Sequence, residues 1–315
     1  MSRVDAGTGS PPTVTSVYRT PSQAPACELF AGIVGYELSG FPAGTHGGLP
    51  GRSLTLIVPF ESAVVVSGEA MDGSGRPLRE PTPFTGLIGG MHDLPVQIHH
   101  DGFQAGVQVD LTPAGSRALF GMPAAELAGQ VLSLADVLGP GAEQLADRLA
   151  TSPDWQTRVA VVEQGLSRQL ARGVESLERT SQRDPATWHA WRLLTSSDGA
   201  LPVAQVARQV GWSRRQLTAR FSAEFGHPPK VAARVMRFER AHRLLRRAPT
   251  PKLADVATVC GYSDQAHLTR EWRQLAGCTP TQWLTDEVFP HLQAPGTVEE
   301  SSQTFKTGTP TGRQH

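Results

Sequence analysis

The sequence has no net charge, since 29 Lys and Arg stand against 29 Asp and Glu in 315 residues. Taken whole, it lacks the basic excess usual in a nucleic-acid binder. Cysteine is scarce as well. Cys27, Cys260 and Cys278 lie too far apart for a CxxC metal pair or a disulfide framework, and they read as free thiols of a reducing compartment. No apolar run approaches the ~20 residues that cross a bilayer, and the N-terminus has no charged-then-apolar signal pattern. A cytoplasmic protein without membrane contact is therefore expected. GxSxG, HExxH and phosphate-loop motifs are missing, so neither enzyme activity nor a cofactor is expected. His92, His99 and His100 lie near strands, but adjacent residues point to opposite faces of a strand, and the HxH-plus-Glu spacing of metal-binding barrels is absent. No metal site is expected there.

What is present is unevenly placed. With 39% apolar and 18% charged residues the chain is a folded protein, of a length that suggests two domains. Residues 185–290 hold 15 Lys and Arg against 8 Asp and Glu, a net of +7, which leaves −7 for the remainder. Neutrality is thus the sum of a basic segment and an acidic one, a pattern that points to a polyanion partner.

The predicted fold class is α+β. Residues 1–24 and 291–315, rich in Gly, Ser, Thr and Pro, read as a disordered leader and tail. Residues 25–183 read as a sensor or dimerisation domain, β-rich and then helical. Phe103 to Leu111 alternates apolar and polar, and so do Leu54, Leu56, Val58 and Phe60, followed by the run Val64-Val65-Val66. These imply a small antiparallel sheet or barrel. Trp155, Val159, Val162, Leu166, Leu170, Val174 and Leu177 then form one apolar stripe on a long helix, with Arg158, Glu163, Arg168 and Arg172 on its polar face. The stripe suits either core against the sheet or a dimer seam.

Residues 184–290 read as an all-helical domain, and they contain a duplication. Ala204/Ala254, Val206/Val256, Ala207/Ala257, Gly211/Gly261 and Ser213/Ser263 match at an offset of 50, with Trp212 opposite Tyr262. After a one-residue insertion, Leu217/Leu268, Thr218/Thr269, Gly226/Gly277 and Pro229/Pro280 match at 51, with Phe221 opposite Trp272. Each copy has a short helix, a glycine suited to the turn, and a second helix. In the first, Ser213 can cap the second helix and Gln216 can complete a capping box; Ser263 stands at the same place in the second. Val231, Val235, Phe238, Ala241 or His242, and Leu245 form a linker helix between the copies, surrounded by Arg234, Arg237, Arg240, Arg243, Arg246 and Arg247.

Residues 185–288 resemble the DNA-binding domain of the AraC/XylS family of bacterial transcription regulators. The likeness is carried by Val203-Ala204-Gln205-Val206-Ala207 with Gly211-Trp212-Ser213, then by Gly226, Pro228, Pro229, Arg237-Phe238-Glu239-Arg240-Ala241 and Leu244-Leu245. It continues in Asp255-Val256-Ala257, Gly261-Tyr262-Ser263-Asp264-Gln265-Ala266-His267-Leu268, Gly277 and Thr279-Pro280. Trp272 and Gln282-Trp283-Leu284 depart from the family pattern. Less specifically, Leu111-Thr112-Pro113-Ala114-Gly115, Leu119-Phe120-Gly121, Pro123 to Leu127 and Leu134-Ala135-Asp136 resemble a sensor-like domain that precedes this module in actinobacterial regulators.

The resemblance implies sequence-specific binding of double-stranded DNA by two recognition helices. It leaves RNA polymerase, a small-molecule effector and a second copy of the chain open as further partners. Base-reading candidates are Arg214, Arg215, Thr218 and Ala219 on the first recognition helix. On the second they are Gln265, Ala266, His267, Thr269 and Arg270. Phosphate candidates are Ser213, Arg220, Lys252 and Ser263, and Arg237 is assigned to bracing the two copies. The alternative is a ligand-binding or protein-interaction protein whose helical module has lost its DNA affinity.

Overall fold

The computed structural model describes residues 13–19, 29–166, 184–247, 249–286 and 300–304. Its strands are β1 (Thr13–Arg19), β2 (Phe30–Ser39), β3 (Gly44–Gly48), β4 (Leu54–Phe60), β5 (Val64–Gly68), β6 (Thr82–Phe84), β7 (Leu87–Gly89), β8 (Val96–His100), β9 (Gln104–Leu111), β10 (Val131–Ser133) and β11 (Glu300–Thr304). They form a seven-stranded sheet in the order β10-β7-β4-β9-β2-β1-β11 and a four-stranded sheet in the order β3-β8-β5-β6. The pairings between these strands are antiparallel.

Both faces of the larger sheet are covered, and alternation decides what meets each cover. Leu54, Leu56 and Val58 of β4 and Val107, Val109 and Leu111 of β9 are almost fully buried against the helices. The intervening Ile57, with Leu87 of β7, packs toward Val64, Val66 and Val96 of the smaller sheet. Helix α1 (Pro113–Phe120) follows β9, capped by Thr112, whose Oγ1 accepts from Gly115 N at 3.0 Å. A 3-10 turn (Ala124–Leu127), α2 (Leu134–Leu138), α3 (Pro140–Ala150) and α4 (155–166) complete this half. On α4 the stripe residues Val159, Val162 and Leu166 are core against the sheet, each burial contributing about 1.5–3 kcal/mol. The helix lies so close that a Cβ on Gly35 of β2 would come within 2.8 Å of the Trp155 ring. The stripe's continuation at Leu170, Val174 and Leu177, with Arg168 and Arg172, lies outside the described residues, as does Cys27.

Strands β1 and β11 differ from the expected disorder at residues 13–19 and 300–304, the rest of the expected leader and tail lying outside the described residues. β1 pairs with β2 through its whole length and with β11 on its other edge. Its apolar signal is thin, because Thr13, Thr15 and Ser16 occupy three of its seven positions beside the buried Val14 and Val17.

The C-terminal half is helical: α5 (Pro185–Ser196), α6 (Val203–Gln209), α7 (Arg214–Phe225), α8 (Pro229–Leu245), α9 (Leu253–Val259), α10 (Gln265–Ala276) and α11 (Pro280–Asp286). The chain is α+β, as its pattern predicts. Hydrophobic packing divides elsewhere than at the change from sheets to helices. One core runs without a break from the large sheet through Trp188 and Trp191 of α5 to Phe221 and Phe225 of α7 and Met236 of α8. A second, separate core joins Val235, Phe238, Ala241 and Leu245 of α8 to α9, α10 and Trp283 of α11.

Candidate nucleic-acid interface

The duplicated segments are two superposable devices. In the first, Gly211 has φ +74 and follows α6, where Trp212 N donates to Ala207 O at 2.9 Å. In the second, Gly261 has φ +77 and Tyr262 N donates to Ala257 O at 2.9 Å. Positive φ is cheap only for glycine, so the sharp turn fixes that residue in both copies. Ala207 and Ala257 are buried where the following helix crosses, which leaves room for little more than a methyl group. The recognition helices α7 and α10 have 12 residues each and end on left-handed glycines, Gly226 and Gly277.

The helix starts differ, and the difference locates the inserted residue. Ser213 caps α7 in a full capping box, in which Gln216 N donates to its Oγ and its own N donates to Gln216 Oε1. The second copy does not use Ser263 for this. Asp264, which stands at the offset of 51 from Ser213, caps α10 by accepting from His267 N at 2.6 Å, so the inserted residue is Ser263. Ser263 N instead donates to His267 Nδ1 at 3.3 Å. An ionised carboxylate is the stronger cap at a helix N-terminus, so the register slips by one to bring it there.

The exposed faces of the two helices follow from their buried ones. Leu217, Phe221 and Phe225 are fully buried, which leaves Arg214, Arg215, Thr218 and Ala219 exposed. On α10, Leu268 and Trp272 are buried, while Gln265, Ala266 and Arg270 are exposed. His267 and Thr269 are half-buried and already engaged. The His267 ring sits edge-on to Tyr262 and 3.6 Å from Glu271, and Thr269 Oγ1 donates to Gln265 O at 2.9 Å.

Of the phosphate candidates, Lys252 is exposed just before α9, and Ser213 and Ser263 make the contacts above. Arg220 is occupied, pairing with Asp184 at 3.3 Å and lying over the Trp212 ring. Arg273 was not singled out in the sequence. It is exposed one turn beyond Arg270, and its spacing of three from that residue is the signal that could have found it.

The basic charge divides in the same way. Among the described residues, the linker-helix arginines are held by acceptors. Arg234 pairs with Asp93 at 3.3 Å, Arg243 with Asp198 at 3.0 Å, and Arg240 lies 4.0 Å from the same carboxylate. Arg237 donates to Gly199 O at 3.1 Å and lies 3.7 Å from Glu271 of α10, so it spans the two copies. Burial pushes the Asp198 carboxyl up, but hydrogen bonds from Arg52 and Arg243 outweigh it and hold the group below its ordinary range. Arg214, Arg215 and Arg270 have no ion-pair partner among the described residues.

The N-terminal half grips this module through residues other than those three. Arg117 of α1 makes a two-pronged bond to Glu224 near the end of α7, at 2.9 and 2.6 Å. Arg52 bonds Glu239 of α8 and, at 2.7 Å, Asp198. His227 Nε2 lies 3.0 Å from Met91 O. A Cβ on Gly226 would stand 2.2 Å from the Cβ of Ala128.

The helix-turn-helix domain family matches residues 206–286. A comparison with curated proteins gives no match. Among solved structures, an AraC-type transcriptional regulator from Chromobacterium violaceum is 25% identical over 35% of this chain and 98% of its own, with a TM-score of 0.31. ToxT from Vibrio cholerae is 9% identical over 80% of this chain and 97% of its own, with a TM-score of 0.46. The DNA-binding domain of AdpA, solved with a target DNA, is 25% identical over 30% of this chain and 85% of its own, with a TM-score of 0.28. With the matched family taking in both duplicated turns, the C-terminal module is a helix-turn-helix domain.

Proposed function

We propose that α7 and α10 enter successive major grooves on one face of duplex DNA, with Arg214, Arg215 and Arg270 reaching base edges or phosphates. One observation carries this reading: acids take up the arginines of the linker helix, while Arg214, Arg215, Arg270 and Arg273 on the recognition helices have no ion-pair partner among the described residues. The 17-residue α8, about 25 Å long, sets the separation of the copies, against groove repeats about 34 Å apart. Thr218, Ala219, Gln265 and Ala266 line the same exposed faces and supply shorter contacts; Lys252 is placed for a phosphate.

The N-terminal half acts as the effector domain, and the chain works without catalysing a reaction, in the cytoplasm, with RNA polymerase and a second copy of itself as protein partners. No helix among the described residues is long and apolar enough to cross a membrane. Anisotropy of labelled duplex DNA, titrated from low to high salt, tests the DNA reading. Affinity should fall steeply with salt, because each phosphate contact releases counterions. Salt-independent or undetectable binding to bound-site fragments recovered from the genome would favour a protein-interaction role.

A further inference from the structure

Between the two sheets and the linker helix lies a cavity of about 950 Å³, counting the part open to solvent. Its barrel portion is apolar, walled by Ile57, Val66, Leu87, Val96, Ile98 and Val131. The far end reaches His242 of α8 and Trp283 of α11, so the cavity touches the second helix-turn-helix unit directly. A smaller polar pocket continues it, sharing Leu49, Thr55, His92 and His242, and adds Asp110 and Glu239.

The charge of these walls is one-sided. Among the described residues, neither Lys nor Arg lines either part. Burial holds His46, His92 and His242 below the ordinary imidazole range, so they are neutral at pH 7. Glu239 is taken up by Arg52 through both its backbone and its guanidinium. Asp110 is not matched by a cation among the described residues. Alternation along β9 sends Val109 and Leu111 into the core and turns Asp110 the other way, beside Gln108, whose Nε2 donates to it at 2.9 Å. Its carboxyl is surrounded by protein, and the exposure it keeps is to the cavity. A carboxylate enclosed with one neutral donor is costly unless something positive or hydrogen-bonding completes it.

Resting on the effector-domain reading above, we propose that this cavity takes a small molecule with an apolar body and a protonated amine, the amine donating to Asp110. Carboxylates and phosphates are excluded by the same walls. The body would lie among the aliphatic side chains of the two sheets. From there it reaches α8 and α11, where it can bias the second unit's position.

The test uses the full chain and a series of n-alkylamines of graded length, each with its matched carboxylate and alcohol, followed by calorimetry and thermal shift. At least one amine should bind ten-fold or more tightly than its matched carboxylate. Asp110→Asn should abolish that preference while leaving alcohol binding unchanged. Gly89→Leu gives an independent check, because a Cβ there is in ordinary contact, with Thr55 O nearest at 3.8 Å. Because Gly89 lines the cavity, that variant should lose binding of the whole series. A carboxylate that binds as well as its amine, unchanged amine binding in Asp110→Asn, or no binding by any amine would overturn the proposal. DNA affinity in the same samples separates the two readings: amine binding with unaltered DNA affinity keeps the ligand class and removes effector control.

Discussion

His242→Gln should flatten the pH dependence of stability. The ring lies on α8 against Trp283 at 4.6 Å and Trp272 at 6.3 Å, fully enclosed. Burial, then the charges of Arg246 and Arg243, push its pKa down to about 3. In the unfolded chain it titrates near its ordinary value of 6.5. Between those values the unfolded state binds a proton that the folded state refuses, so stability is lost as pH falls through that window. From pH 7 to pH 5 the loss is about 2 kcal/mol. His46, pushed down to about 4 by burial, adds a loss of similar size. Asp110 works in the opposite sense. Burial raises its carboxyl to about 6, so the folded state takes up the proton first and gains about 1 kcal/mol over the same interval. The parent should therefore lose about 3 kcal/mol, and His242→Gln only about 1 kcal/mol. Urea denaturation at the two pH values, read by tryptophan fluorescence, measures both. Gln is neutral throughout, so its packing cost cancels in the difference. An equal loss in parent and variant would refute the reasoning.

Arg270→Ala should weaken binding to a cognate site by about 1–3 kcal/mol and relax the preference at one base pair, measured by anisotropy against single-base variants of the site; uniform weakening on all sequences would assign it to phosphate instead. Arg117→Ala leaves Glu224 half-buried without its two-pronged partner and should cost about 2 kcal/mol in thermal unfolding, an unchanged Tm being the contrary result. Gly226→Ala and Gly211→Ala both force an alanine to positive φ, at about 1–2 kcal/mol each. The first also drives a methyl group into Ala128, whereas the second meets nothing within 4 Å. Gly226→Ala should therefore show the larger fall in Tm, and equal falls would mean that the two halves do not touch there.

The helical module was legible because duplication checks every assignment twice. Gly211 and Gly261, the small Ala207 and Ala257, and the buried Leu217 and Leu268 each repeat a geometric demand that only a few residue types meet. The basic segment was legible by counting, but not which of its arginines are available, since that depends on acids distant in sequence: Asp93 for Arg234 and Asp198 for Arg243. Ser263 misled because it matches Ser213 in type at the offset of 50. The cap follows the offset of 51 and so falls on Asp264. Strand patterning identified β4 and β9, whereas β1 was hidden by hydroxyl side chains where a half-buried strand more often shows branched aliphatics. Asp110 stood inside a recognised strand as an ordinary outward polar residue. Only the second sheet, arriving from Val64–Gly68 and Val96–His100, turns its side of β9 into an interior.

The two hydrophobic cores make the protein mechanically lopsided. The first reading head is fused to the sheets by a shared interior, so it opens only when they do. The second has a smaller interior of its own, built on the far portion of α8 and met from the sheets by Leu49, which makes it the natural unit for sub-global opening. Hydrogen exchange should rank α10 below α7 in protection. On the proposed two-groove reading, one head is the fixed jaw of a caliper and the other the sliding jaw, so that the spacing measured along DNA adjusts without loosening the grip of the first.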